Sequence, residues 1–174
     1  TTDGTGAVAE LTLEQIRALD AGSWYAPEFA GTRVPLFDEF LDALAGNRQK
    51  ALVELKGFWT PAGVRTVLDA IYLRGVQNRV VFASFNLTTV AHLADTAPAI
   101  PRVIIKRDLP RDPVGLANYY DAIAIITTPT SLEHDPEAVT RMHEAGLGVL
   151  VYTLNSEKRW SEALAYGVDG IITD

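Results

Sequence analysis

Short apolar runs alternate with amphipathic segments along the chain from Leu36 onward. The apolar runs have the length of buried strands, and the segments between them repeat their apolar residues with helical spacing. The runs predict strands at Ala51–Lys56, Arg79–Ser84, Arg102–Ile105, Ala122–Thr127, Gly148–Thr153 and Gly170–Thr173. The amphipathic segments predict helices at Asp38–Leu44, Pro61–Leu73, Leu87–Asp95, Pro113–Tyr119, Pro136–Ala145 and Ser156–Tyr166. Strands that alternate with helices indicate an α/β protein with a parallel sheet.

The first part of the chain has a different pattern. Leu11–Leu19 has the spacing of one short helix. Asp20–Pro35 is rich in glycine and proline, with Trp24, Tyr25 and Phe29 between the turn residues. This composition predicts an ordered aromatic loop rather than a linker, with its rings packed on the body of the protein.

Two parallel architectures are compatible with this pattern. A (β/α)8 barrel needs eight strands, whereas a doubly wound sheet is complete with five or six. Periodicity alone does not choose between them. The glycine fingerprint of dinucleotide-binding sheets is absent after the first strand, where Gly57–Pro61 follows Lys56. Dinucleotide binding therefore loses support.

Composition narrows the possible partners. The chain has 174 residues, 48% of them hydrophobic, which fits one domain, residues 1–174. Its formal charge of -7 leaves no basic stripe for nucleic-acid phosphates. No apolar run approaches the roughly 20 residues of a membrane helix, so we expect a soluble protein without a transmembrane segment. Cysteine is absent, which excludes disulfides and thiolate chemistry but does not identify the compartment.

The most informative polar residues are Glu54 and Lys56. Side chains alternate along a strand, so both project from the same face near its carboxyl end. Sites of parallel α/β proteins lie at that end of the sheet. Glu54 could hold a divalent cation while Lys56 neutralises a phosphate oxygen. The alternative is that the two side chains form an ion pair that caps the strand.

Other strand ends carry weaker signals. Ser84, Lys106 and Asn155 could line a pocket, although serine and asparagine at such junctions commonly cap turns and helices. Lys106 is the more suggestive of the three, with a solvated strand-end lysine as the alternative. His92 and His143 fall in predicted helices, and His134 falls in a predicted loop, 127–135. No acid–base pair and no hydrolase, zinc or phosphate-loop motif is present.

Several segments together resemble the glycerophosphodiester phosphodiesterase family in order and spacing. They are Asp3–Gly6, Asp20–Trp24, Val34–Leu36, Glu54–Lys56, Ser84–Phe85, Val151–Asn155 and Gly167–Asp174. Each is weak alone, but the aromatic loop, the Glu-x-Lys strand and the Gly-Val-Asp-Gly-Ile terminus are specific in combination. The resemblance extends over essentially the whole chain.

The resemblance implies a TIM-type barrel that hydrolyses glycerophosphodiesters to glycerol 3-phosphate and an alcohol with Ca²⁺ or Mg²⁺. It implies that Glu54 is a metal ligand, that Lys56 faces the phosphate and that Tyr152 is the aromatic residue of the late strand. The family places its His-Arg-Gly, Glu-x-Asp and His-Asp motifs before a loop like Thr1–Gly6, and none of them precedes that loop in this sequence. The catalytic histidine pair and most metal ligands would then lie upstream of Thr1.

Three interpretations follow. The leading one is an incomplete phosphodiesterase barrel of about six βα units, inactive as this chain. The others are a non-catalytic barrel relative that binds a phosphorylated ligand or a protein partner, and an unrelated TIM-barrel phosphate binder. In an incomplete barrel the strands at Ala51–Lys56 and Gly170–Thr173 become unpaired edges, which predicts association into a homo-oligomer.

Overall fold

The computed structural model describes residues 1–174, which form two compact units, residues 1–47 and residues 48–174. The single domain expected from the sequence stays a prediction. In the first unit, α1 spans Leu13–Ala18 and α2 spans Phe37–Ala45, with short 3-10 helices at Val8–Glu10 and Pro27–Phe29. Thr12 begins α1 with a capping box, because its hydroxyl accepts the Gln15 N–H and the Gln15 side chain accepts the Thr12 N–H.

The aromatic loop of the first unit is organised by Asp20. Its carboxylate accepts the N–H groups of Ser23, Gly31 and Gly22 at 2.6–2.8 Å, and also the Ser23 hydroxyl. These donors, led by the Ser23 N–H, hold the pKa of Asp20 far below its ordinary value. The loop is therefore ordered, as the sequence indicated.

The rings of this loop lie differently from the expectation. Trp24, Tyr25 and Phe29 are 63%, 71% and 47% exposed, so the prediction that they pack on the body is wrong. They instead contact each other edge to face, with centroids 5.8 and 5.5 Å apart. The hydrogen bonds of Asp20 fix the backbone and leave the ring faces in solvent.

The second unit contains six parallel strands in sequential order, each paired with the one before it. They are β1 Ala51–Glu54, β2 Val80–Ser84, β3 Arg102–Ile105, β4 Ala124–Thr127, β5 Gly148–Val151 and β6 Gly170–Ile171. A doubly wound sheet would reverse its strand order at a switch point, and no reversal occurs here. The arrangement is that of an incomplete TIM-type barrel, which confirms the predicted fold class.

Helices connect successive strands. They are α3 Pro61–Leu73, α4 Leu87–Thr96, α5 Pro113–Tyr119, α6 Pro129–His134, α7 Ala138–Glu144 and α8 Glu157–Ala165, with a 3-10 helix at Gln77–Arg79. Thr60, Asn86 and Asp112 begin three of them by accepting a backbone N–H in the first turn. None of the helices is long and apolar enough to cross a membrane.

Each face of the sheet has its own apolar cluster. The face toward the helices carries a large buried cluster that includes Ile104, Ile125 and Val149. The opposite, inner face carries small and branched residues, Ala83, Val103, Ile105, Ala124 and Ile126. Side chains alternate along a strand, so every second residue faces inward as far as the carboxyl end of the strand. Polar residues at those positions therefore lie on the inner face of the sheet, where barrel sites form.

Candidate active site

Glu54 and Lys56 stand at the carboxyl end of β1, on the inner face. Leu55, between them, is only 3% exposed and donates its N–H to the Ala83 carbonyl. Both charged side chains are exposed, and neither makes a hydrogen bond or an ion pair within the chain. The alternative of an ion pair between them is therefore wrong. Two unpartnered charges of opposite sign stand at the place where barrel sites form.

A pocket of about 430 Å³ lies over the inner face at this end of the sheet. It is lined by Leu52, Glu54, Lys56, Phe85, Ile105, Ile126, Tyr152, Thr153 and Ile172. The structure thus brings together all three site residues predicted from the sequence, Glu54, Lys56 and Tyr152. Apolar side chains from β1, β3 and β4 form much of the remaining wall, which is typical of pockets that bind small organic molecules.

Tyr152 follows β5 and is half-buried. Its N–H donates to the Thr127 carbonyl at 3.0 Å, and its ring meets that of Phe85 edge to face at 6.0 Å. Burial raises the pKa of the Tyr152 hydroxyl; the charge of Arg107 opposes the rise, and Asp108 and Glu54 add to it. The hydroxyl is therefore protonated at neutral pH and can donate a hydrogen bond into the pocket.

Sequence reasoning favoured Lys106 at the end of β3, but Lys106 does not line the pocket. Ile104 belongs to the cluster facing the helices and Ile105 to the inner cluster. Alternation continued by one residue therefore puts Lys106 on the helix side. The signal was available in the alternation along the strand, but it depended on knowing which face of β3 is the inner one.

No histidine lines this pocket. His92 makes a 2.8 Å hydrogen bond from its Nδ1 to the Trp59 carbonyl, and its ring contacts that of Phe58. His143 is paired through Nε2 with the Asp169 carboxylate at 2.9 Å. Both lie in helices, as predicted, whereas His134 is the last residue of α6 and not in a loop. The residues present supply no imidazole for proton transfer in this pocket.

The polar residues at the other strand ends hold the backbone. Ser84 is buried and donates its hydroxyl to the Leu55 carbonyl at 2.6 Å, which joins the ends of β1 and β2. Asn155 accepts from the Thr173 hydroxyl and the Asp174 N–H and donates to the Asp174 carboxylate, which joins the segments after β5 and β6. These side chains position the pocket rather than line it.

The pocket can provide one ligand to a divalent cation. The Glu54 carboxylate is exposed and unpartnered, so its oxygens are free to coordinate. No group of three or more histidine, aspartate or glutamate side chains converges anywhere in the chain. Since Ca²⁺ and Mg²⁺ take six or more ligands, Glu54 can provide one anionic ligand but not the full set.

The sequential parallel sheet is that of an incomplete TIM-type barrel, and it carries a carboxylate and a lysine at one strand end. Residues 1–174 match the model of the glycerophosphoryl diester phosphodiesterase family. The chain belongs to this family, whose members are phosphoric diester hydrolases that generally use a divalent metal. The resemblance found in the sequence is thereby confirmed.

Individual relatives agree with this assignment. The glycerophosphodiester phosphodiesterase of Caldanaerobacter subterraneus subsp. tengcongensis is 28% identical over 176 residues, which cover 100% of this chain and 72% of that protein. The corresponding Bacillus subtilis enzyme is 28% identical over 196 residues, with 100% and 65% covered. The chain thus spans about two thirds to three quarters of the length of these relatives.

Solved structures show the same fold. The glycerophosphodiester phosphodiesterase of Agrobacterium tumefaciens superposes with a TM-score of 0.81 at 29% identity, covering 100% of this chain and 73% of that one. An Oleispira antarctica phosphodiesterase, in complex with the product sn-glycerol-3-phosphate, superposes with a TM-score of 0.91 at 22% identity, covering 99% and 70%. At 22% identity, this similarity supports the shared fold alone.

Proposed function

We propose that this protein is a glycerophosphodiester phosphodiesterase that releases glycerol 3-phosphate and an alcohol. The observation that carries the proposal is the convergence of Glu54, Lys56 and Tyr152 on one pocket, with both charges unpartnered. An unpartnered anion and cation side by side suit a metal-bound phosphate, because the carboxylate binds the metal and the ammonium binds the phosphate oxygen. The Oleispira protein is in complex with sn-glycerol-3-phosphate, a molecule that carries such a phosphate group.

Lys56 provides the electrostatic part of the mechanism. Negative charge builds on the phosphate oxygens as the diester bond breaks, and an ammonium fixed at the strand end stabilises that charge more than it stabilises the substrate. Glu54 would be one ligand of Ca²⁺ or Mg²⁺, and such an ion polarises a phosphoryl oxygen when it is bound. The pairing of β1 with β2 and the Leu55 N–H bond to Ala83 fix the backbone from which both side chains project.

Tyr152 forms the wall for the glycerol portion of the substrate. Its ring is an apolar surface with a polar tip, which matches a carbon chain that carries hydroxyl groups. The Phe85 ring contacts the Tyr152 ring edge to face. The protonated hydroxyl of Tyr152 can donate a hydrogen bond to a glycerol oxygen. We therefore assign Tyr152 to substrate orientation and not to proton transfer.

Residues 1–174 supply the phosphate-binding part of the chemistry and no histidine for proton transfer. We therefore expect the 174-residue chain to bind glycerol 3-phosphate, and we keep the prediction from the sequence that it does not hydrolyse diesters. A second candidate, a non-catalytic relative that binds a phosphorylated ligand, is favoured by the same lack of histidine in the pocket. The protein expressed from its full reading frame separates the two, since only the enzyme hydrolyses glycerophosphocholine.

The binding site is tested by calorimetry with glycerol 3-phosphate, with and without Ca²⁺ or Mg²⁺. We expect Glu54→Gln to abolish the effect of the metal and Lys56→Gln to weaken binding about tenfold or more, the size of a charge-assisted hydrogen bond. Glu157→Gln and Lys158→Gln, on exposed positions of α8, are the matched controls and should bind normally. Unchanged binding in both pocket variants would show that the site has been placed wrongly.

A further inference from the structure

A second pocket lies in the aromatic loop of the first unit. It has a volume of about 310 Å³ and is lined by Ala21, Gly22, Trp24, Tyr25, Phe29 and Thr32. Half of these residues are aromatic, and none of them carries a charge. None of them lines the pocket over the sheet, so the proposed function does not account for this cluster of rings.

The three rings of this pocket stand at steep angles to one another. The planes of Trp24 and Tyr25 meet at 78° and those of Tyr25 and Phe29 at 61°, with centroids 5.8 and 5.5 Å apart. Tyr25 therefore contacts both other rings, and all three rings remain exposed. Stacked rings would cover each other's faces, whereas rings at these angles leave faces open to a ligand in the pocket.

The backbone that carries the rings is fixed within the loop. The Phe29 carbonyl accepts the N–H of Thr32 at 3.1 Å and the Thr32 hydroxyl at 2.7 Å. The Trp24 indole N–H donates to the Ala21 carbonyl at 3.0 Å, which orients that ring. A Cβ on Gly22 would lie 2.0 Å from the Phe29 carbonyl oxygen, so only glycine permits this close approach. A loop that keeps its shape without a ligand loses little conformational freedom on binding.

The charge of the first unit favours a cation. Residues 1–47 contain eight aspartate and glutamate residues against two arginines and no lysine, so most of the formal charge of -7 lies in this unit. Such an imbalance attracts cations and repels anions. The face of an aromatic ring is also negative and attracts a cation that it can approach closely. A primary ammonium is strongly hydrated, whereas a quaternary ammonium presents methyl groups that can contact the rings directly.

We infer that Trp24, Tyr25 and Phe29 form a binding site for a quaternary ammonium group of the choline type. The trimethylammonium contacts the ring faces through cation–π attraction, and its methyl groups pack against the apolar lining. An uncharged ligand of the same shape fills the pocket without this attraction. The inference does not depend on the proposed function, because every residue that it uses belongs to the first unit.

The test compares choline with dimethylbutanol, its uncharged carbon analogue, in NMR titrations of the 174-residue chain. The indole N–H signals of the three tryptophans report where each compound binds. We expect the Trp24 signal to move and those of Trp59 and Trp160 to stay, with choline bound about tenfold or more tighter than the alcohol. Equal affinities, or a shift of Trp59 or Trp160 in place of Trp24, would overturn the inference.

Variants of Tyr25 separate recognition of the charge from folding. Tyr25→Leu keeps apolar bulk but removes the central ring, so it should weaken choline binding about fivefold or more and change the alcohol less than about twofold. Tyr25→Phe keeps the ring face and should bind choline normally, as should the matched control Tyr119→Leu on an exposed tyrosine of α5. Unchanged signals of Trp59 and Trp160 show that each variant is folded. Equal losses of choline and alcohol affinity in Tyr25→Leu would refute a cation–π site.

Vesicles identify the source of the quaternary ammonium. The chain is sedimented with vesicles of phosphatidylcholine and, in parallel, with vesicles of phosphatidylglycerol, whose head group has no ammonium. Sedimentation with phosphatidylcholine alone, lost in Tyr25→Leu, supports the site with a lipid head group as its ligand. Choline binding without sedimentation supports the site with a free ligand. If neither choline nor phosphatidylcholine binds, the inference is overturned and the proposed function is unaffected.

Discussion

The rings of Phe85 and Tyr152 meet edge to face, with centroids 6.0 Å apart and planes at 85°. Phe85 follows β2 and Tyr152 follows β5, and two further strands lie between them in the sheet. Three strand spacings amount to about 14 Å along the sheet. The contact therefore requires a sheet that curves toward its inner face, and it closes one side of the pocket.

Removing this contact should weaken ligand binding through Tyr152. We expect Phe85→Ala to weaken glycerol 3-phosphate binding about 3- to 10-fold, because an edge-to-face aromatic pair contributes about 0.5–1.5 kcal/mol beyond its buried area. Phe85→Leu, which keeps apolar bulk, should have a smaller effect. Tyr119→Ala, on an exposed aromatic residue of α5, is the control. Equal affinities for Phe85→Ala and the unmodified chain, by calorimetry, would show that Tyr152 is held by other contacts.

The sequence predicted the elements of this pocket better than their contacts. Pro61 and Pro113 each occupy the first turn of a helix, and both helices have the predicted bounds. The helix α6 was missed because six residues are too few to show an amphipathic period. The contact between Phe85 and Tyr152 depends on sheet curvature, which no local pattern records.

The site itself was predictable to the extent that alternation determines it. Glu54 and Lys56 share a face whichever face is inner, so their pairing followed from the sequence. The exclusion of Lys106 from the pocket instead required the orientation of β3. Asn155 binds the segment that follows β6. Its role could not be predicted, because the sequence does not show that β5 and β6 are neighbours.

A second prediction concerns Asp169 and the pH dependence of stability. Partial burial opposes its ionisation, but the Val149 N–H at 2.7 Å and His143 hold the pKa of Asp169 below its ordinary value. A lowered carboxyl pKa stabilises the folded state above the unfolded pKa of 3.8, and the contribution disappears as the pH falls through the folded pKa.

Asp169→Asn should therefore lower the free energy of unfolding by about 1 kcal/mol at pH 7, a figure reduced for the partial exposure of the carboxylate. At a pH below the folded pKa of Asp169, the variant and the unmodified chain should converge. Urea denaturation across this range provides the measurement, with Asp69→Asn on the exposed face of α3 as the control. A difference that stays constant with pH would rule out ionisation of Asp169 as its source.

A third prediction uses the asymmetric pair of Arg102 and Asp121. Arg102 is 2% exposed, and its guanidinium donates to the carbonyls of Pro98 and Asp121 and to the Asp121 carboxylate, which is 86% exposed. Arg102→Met should destabilise the fold by about 3 kcal/mol, because it removes the charged donor that the carbonyls of Pro98, Ile100 and Asp121 share. Asp121→Asn should cost less than about 1 kcal/mol, since its carboxylate remains in water. Equal losses for the two variants in urea denaturation would contradict this account.

The last prediction concerns the outer edges of the sheet. β1 pairs only with β2 and β6 pairs only with β5, so each has one side without a strand neighbour. Leu52, on the inner face of β1, is 44% exposed, which adds apolar surface beside the free edge. Unpaired strands and apolar patches both recruit further chains, so the 174-residue chain should self-associate.

Light scattering coupled to gel filtration, over a range of protein concentrations, measures this association. We expect a mass above that of the monomer that falls on dilution. Leu52→Lys should shift the distribution toward the monomer, because an inward-pointing charge at an edge strand opposes strand addition and reduces the apolar patch. Leu164→Lys, on a residue of α8 that is 61% exposed, is the control and should leave the association unchanged. A monodisperse monomer at all concentrations would mean that the edges are protected, and equal effects of the two lysine variants would place the contact outside β1.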